Sequence, residues 1–102
     1  MSDKIYTIEE IKSILSKILS NTPVQQVILF GSYAKQMANH VSDLDFIIDT
    51  KGVLLGFDFF SLIDDIEKEF NKKVDAFEKL EIIANSKIDN EIKQTGVIVY
   101  ER

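Results

Sequence analysis

Helical and strand-like patterns alternate along this 102-residue chain. They predict a single α/β (α+β) domain spanning residues 1–102, built as a small mixed β-sheet with flanking helices. Three observations carry that expectation. Apolar residues recur at helical spacing in two long stretches. Short runs rich in Val, Ile and Phe lie between them. The twelve residues that join the first two such runs are few for a crossover helix, which favours a mixed sheet over an all-parallel one.

Thr7 followed by Glu10 makes a capping-box start, and Ile8, Ile11, Ile14, Leu15, Ile18 and Leu19 keep helical spacing, so a first helix runs from Ile8 to Leu19. Asn21, Thr22 and Pro23 stop it. VQQVILF, from Val24 to Phe30, is a strand with an apolar end expected near the centre of the sheet. Gly31-Ser32 turns the chain into a short helical segment around Ala34 to Ala38. DLDFIID, from Asp43 to Asp49, is the second strand, and Lys51 to Gly56 a loop. Asp58 is placed to cap a helix reaching Phe70, with Phe59, Ile63, Ile66 and Phe70 on one stripe. KVDAF, from Lys73 to Phe77, is a short third strand. A helix over Ser86 to Thr95 follows, with Gly96 as its C′ residue. Val97 to Tyr100 closes the chain as a fourth strand.

Composition narrows the function. Twelve basic against seventeen acidic residues give a net charge of −5, and the one arginine is Arg102. Nucleic-acid binding by counterion release draws on clustered Lys and Arg, so a long polymeric nucleic acid is not the expected partner. No apolar run approaches the ~20 residues of a membrane span, and MSDKIYTIEE lacks a signal-peptide core. Cysteine is absent. Thiolate metal sites are therefore excluded, any metal takes oxygen ligands or His40, and the expected location is cytoplasmic.

The chemistry concentrates in GSYAKQMANHVSDLDFII. Asp43 and Asp45 alternate on a strand and so project to one side, about 7 Å apart at strand rise. Leu44, Phe46 and Ile48 face the core. Paired carboxylates raise each other's pKa unless a cation lies between them. Magnesium suits such a site because it takes oxygen ligands and completes its shell with water and substrate phosphates. Two ions can stabilise both the attacking and the leaving oxygen of an in-line displacement. Asp75 is the candidate third ligand, since a charge inside a strand between Val74 and Ala76 is costly without a use. Asp64, Asp65 and Asp89 sit on polar helix faces. Gly31 lets the backbone approach a phosphate, Ser32 adds a hydroxyl and an N–H at a helix start, and Lys35 is either a triphosphate contact or a solvated lysine. A phosphate-approaching turn facing paired carboxylates points to nucleotidyl transfer.

The remaining polar and aromatic residues read as structure. His40 has no acidic or nucleophilic neighbour in sequence and is taken as a loop residue, and Ser42 as a cap at the strand entry. Tyr33 and Tyr100 are packing residues. Phe57, Phe59, Phe60 and Phe70 are core or interface, with core packing expected.

Gly31-Ser32, ten intervening residues and then Asp43-Leu44-Asp45 resemble the signature of the DNA polymerase beta-like nucleotidyltransferases. The whole chain looks like the minimal nucleotidyltransferase branch, whose members are commonly antitoxins paired with a HEPN-domain ribonuclease toxin. The resemblance implies a polymerase beta-like nucleotidyltransferase fold and an enzyme that uses ATP and magnesium, as two ions, to transfer AMP to a tyrosine of its HEPN partner. By position it implies Gly31 and Ser32 at the triphosphate, Asp43 and Asp45 on the metals, and Asp75 completing the triad. The pattern departs at Gln36, where many members carry Gly.

The expectation is a magnesium-dependent protein adenylyltransferase acting as an antitoxin. A chain of this size leaves no room for an acceptor-holding domain, so the acceptor is expected to dock from outside. A different class of reading is a non-catalytic antitoxin that neutralises its toxin by stoichiometric binding. Transfer to a small molecule or an RNA end would need an acceptor pocket that the sequence does not identify.

Overall fold

The computed structural model describes residues 3–102. Its elements are α1 (Ile8–Leu19), β1 (Gln26–Phe30), the single turn α2 (Gly31–Ala34), β2 (Leu44–Asp49), α3 (Phe57–Phe70), β3 (Val74–Glu78), a 3-10 turn (Lys79–Glu81), α4 (Lys87–Thr95) and β4 (Val97–Glu101). The sheet order is β3-β2-β1-β4. β1 runs antiparallel to both β2 and β4, and β2 pairs parallel with β3, so the sheet is mixed. Among the described residues no helix is long and apolar enough to cross a membrane.

One sheet face carries the core. Ile11, Leu15 and Leu19 of α1 and Phe59, Leu62, Ile66 and Phe70 of α3 pack on Val27, Leu29, Leu44, Phe46, Ile48, Val74 and Val99. Because strand side chains alternate, the same pattern sends Asp45 and Ile47 to the opposite face. There α4 packs on β1 and on α2. Thus the strand sequence that buries Leu44, Phe46 and Ile48 also points Asp45 away from the core.

The caps follow elementary chemistry. The Glu10 N–H donates to Thr7 Oγ1 at 3.0 Å and the Thr7 N–H to Glu10 Oε1 at 2.9 Å, the expected capping box. Hydrogen bonding to Lys4, and then to the Thr7 N–H, holds the Glu10 carboxyl below its ordinary range. At α4 the Asp89 N–H donates to Ser86 Oγ, and Asp89 Oδ2 accepts from the Asn85 N–H.

Several local expectations need correction. The helical segment after β1 is Gly31–Ala34 rather than Ala34–Ala38, because the chain bends at Gln36, whose φ is +58°. Asp58 lies inside the first turn of α3, and the N-cap is Gly56, with no side-chain cap bond. Gly96 is extended (φ −64°, ψ 144°) rather than left-handed. It is small for another reason: a Cβ there would sit 2.5 Å from the Ile92 carbonyl oxygen and 3.0 Å from Ile28 Cγ2. On α3, Leu62 is fully in the core stripe, whereas Ile63 is only partly buried.

Phe59 and Phe70 are core, but Phe57 is 92% exposed and Phe60 67% exposed, so the expectation of core packing fails for these two. Helical spacing explains this. Phe59, Leu62, Ile66 and Phe70 claim the inward arc, and Phe57 and Phe60 fall outside it. Phe60 lies with Leu55 and Phe77 along an open groove of about 460 Å³ beside the edge strand β3.

Candidate nucleotidyl-transfer site

Two neighbouring strands bring the acidic residues together. β2 begins at Leu44, so Asp43 is the residue just before the strand and Asp45 the second within it. In the parallel β2–β3 pairing Asp45 is the register partner of Asp75, as Leu44 is of Val74 and Phe46 of Ala76. Residues 43, 45 and 75, distant in sequence, therefore share one end of the sheet. Each is half-buried. Phe30, opposite Asp45 on β1, and Phe77 on β3 bring their rings to 6.4 Å across the intervening strand.

That environment acts on Asp45. Burial, then the negative charges of Asp75, Asp43 and Glu91, push its carboxyl up to about 6. Among the described residues no lysine, arginine or histidine forms an ion pair with Asp43, Asp45 or Asp75. An uncompensated oxygen-donor set of this kind fits a hard divalent cation. Among the described residues no three His, Cys, Asp or Glu side chains are arranged to hold a metal ion by themselves. An ion here would take the rest of its shell from water and phosphate, as magnesium characteristically does.

Gly31 closes the site from the β1 side. Its φ is +72°, a left-handed backbone that L side chains rarely adopt, and a Cβ built there would collide with Oδ2 of Asp45. The glycine is thus required twice, for the turn and for the carboxylate's position. Ser32 follows in α2, and its carbonyl accepts from the Met37 N–H at 2.9 Å. Since α2 is one turn long, a summed helix dipole contributes little, and Ser32 offers only its own N–H and hydroxyl. Lys35 caps α2 and is neither free nor merely solvated: its Nζ lies 2.9 Å from Oε1 of Glu91 on α4.

Glu91 is the site residue that sequence reading missed. Nothing in IDNEIKQTG marks it beyond a charge on an amphipathic helix, and only the packing of α4 against α2 brings it to Lys35. Gln36 holds its left-handed conformation where many members of the resembling family place Gly. His40 is a loop residue as expected, and its carbonyl accepts from Lys72 Nζ at 3.1 Å.

Known proteins resemble this chain in sequence and in fold. A protein of Methanocaldococcus jannaschii named "Putative protein adenylyltransferase MJ1215" is 34% identical over 83 residues, covering 78% of this chain and 96% of its own. A crystal structure of a toxin-antitoxin with AMP-PNP superposes with a TM-score of 0.75 at 17% identity, over 89% of this chain and 73% of that one. A structure of tri-AMPylated Shewanella oneidensis HEPN toxin in complex with MNT antitoxin gives 0.70 at 15% identity, over 94% and 74%. At such identities these two show the fold. The family described as polymerase beta, nucleotidyltransferase matches residues 9–102. This chain belongs to the polymerase beta nucleotidyltransferase family.

Proposed function

We propose that this chain is a magnesium-dependent protein adenylyltransferase that moves AMP from ATP to a tyrosine of a HEPN ribonuclease toxin and so acts as its antitoxin. The observation that carries the reading is the juxtaposition of Asp45 with Asp75 in register, Asp43 two residues before, and Gly31 packed on the Asp45 carboxylate. The M. jannaschii relative's name supports protein as the acceptor class. The two structural neighbours, both toxin–antitoxin complexes, support a HEPN partner and a nucleotide co-substrate.

In this mechanism the tyrosine oxygen attacks the α-phosphorus of ATP. A new P–O bond forms, the bond to the β-phosphate bridging oxygen breaks, and pyrophosphate leaves. Asp75 orients the acceptor hydroxyl and takes its proton. Asp43, Asp45 and Asp75 would hold magnesium, which when bound supplies charge neutralisation at the attacking and leaving oxygens. Gly31 leaves the backbone open to the phosphates, Ser32 donates to them, and Lys35 adds a positive charge. Positioning and electrostatics account for most of the rate.

The acceptor approaches from outside the domain. Phe57, Phe60, Leu55 and Leu80 are exposed apolar residues on the α3–β3 side, and β3 also carries Asp75. Of the exposed apolar residues Leu55, Phe60 and Phe77 line one groove, a surface that suits a protein partner rather than a small-molecule acceptor. The test is inactivation of the HEPN ribonuclease by a substoichiometric amount of this chain with ATP and magnesium. Lasting inactivation supports transfer. Protection only at equimolar chain, with or without ATP, would contradict it and favour neutralisation by binding.

A further inference from the structure

The ion pair between Lys35 and Glu91 bears on how the nucleotide enters. Lys35 ends α2, four residues after Gly31, while Glu91 projects from the middle of α4. Their charged atoms meet at 2.9 Å with side chains 41% and 28% exposed, an ion pair open to water and to exchange. The two residues border a cleft of about 340 Å³, lined also by Lys87, Asn90, Gln94 and Thr95. Glu91 has a second connection to the site, since its charge is felt at Asp45. The Glu91 carboxylate is thus the ion-pair partner of the lysine that follows the glycine turn.

Resting on the adenylyltransferase reading, we propose that Glu91 is a resident counter-ion that occupies Lys35 in the nucleotide-free protein and is displaced from it by the triphosphate of the incoming nucleotide. A polyphosphate presents several anionic oxygens to an ammonium, whereas Glu91 presents one carboxylate, so the exchange runs toward the nucleotide. Until it arrives, the pair keeps the Lys35 ammonium from single anions and holds α4 against α2. Glu91 is a positioning residue that acts through Lys35.

The two roles open to Glu91 predict different results. If it competes for Lys35, neutralising it strengthens nucleotide binding only while Lys35 is present. If it repels the nucleotide directly, neutralising it strengthens binding in any background. Equilibrium binding of MgATP, measured by calorimetry on wild type, Glu91→Gln, Lys35→Met and the double variant, separates them. We expect Glu91→Gln to tighten binding roughly 2- to 5-fold, the range exposed ion pairs support. Lys35→Met should weaken binding, and Glu91→Gln should add nothing on that background. Glu91→Asp, which keeps the charge, should return wild-type affinity, and Glu91→Ala should repeat the effect of Glu91→Gln. Equal tightening with and without Lys35, or no tightening at all, would overturn the inference. A wild-type protein that binds no MgATP would instead remove the adenylyltransferase reading beneath it.

Discussion

The carboxylate of Asp45 occupies the space that a side chain on Gly31 would fill. The two residues lie on facing ends of β2 and the β1–α2 turn, so the glycine turn and the acidic centre are fitted to each other directly. Gly31→Ala must both strain a backbone at φ +72° and displace the Asp45 carboxylate. The expected cost is about 1–3 kcal/mol of stability, together with loss of nucleotidyl transfer. Thermal melting and a transfer assay check both. An unchanged Tm with full activity would show that the turn tolerates a side chain.

Burial and like charge raise Asp45 to about 6 from an ordinary 3.8. A carboxyl whose pKa is raised on folding holds its proton more tightly in the folded state. Its contribution to stability is therefore full below pH about 4 and is lost as pH rises through about 6. In EDTA, the Tm of Asp45→Asn relative to wild type should climb across that window and level off above it. A difference that stays flat from pH about 4 to about 7 would contradict the burial and charge assigned to Asp45.

Gln36 holds a left-handed conformation at φ +58° with an ordinary side chain. Left-handed backbone costs an L residue about 1–2 kcal/mol, and glycine returns roughly 0.5–1 kcal/mol of that as extra chain entropy in the unfolded state. Gln36→Gly should therefore stabilise by about 0.5–1 kcal/mol, a Tm gain of roughly 2–8 °C. A lower Tm would mean that the Gln36 side chain contributes packing greater than its strain.

The Thr7–Glu10 capping box closes the N-terminus of α1, whose Ile11, Leu15 and Leu19 are fully buried. Thr7→Ala removes the acceptor for the Glu10 N–H and should cost about 1 kcal/mol by chemical denaturation. A negligible change would place the stability of α1 wholly in its packing.

Much of this was legible in the sequence for identifiable reasons. The α1 boundaries follow from Thr7, Glu10 and the apolar spacing, and the structure returns Ile8–Leu19. The strands follow from their β-branched runs, within one or two residues. Asp43, Asp45 and Asp75 were selected by alternation and by the cost of a charge inside a strand, and the β2–β3 register sets Asp45 beside Asp75. Tertiary facts were not legible. Local composition does not say that Gln36 bends left-handed, that Gly56 rather than Asp58 caps α3, or that Phe57 points outward. Glu91 was invisible because its role depends on the docking of one helix against another.

The proposed AMP transfer to a protein depends on Asp43, Asp45 and Asp75. Its most direct test is intact-mass spectrometry of the cognate HEPN protein after incubation with this chain, ATP and magnesium. The expected result is a gain of one or more AMP units on a tyrosine, absent with Asp43→Asn. An unchanged mass alongside a tight complex, or an equal gain with Asp43→Asn, would contradict it.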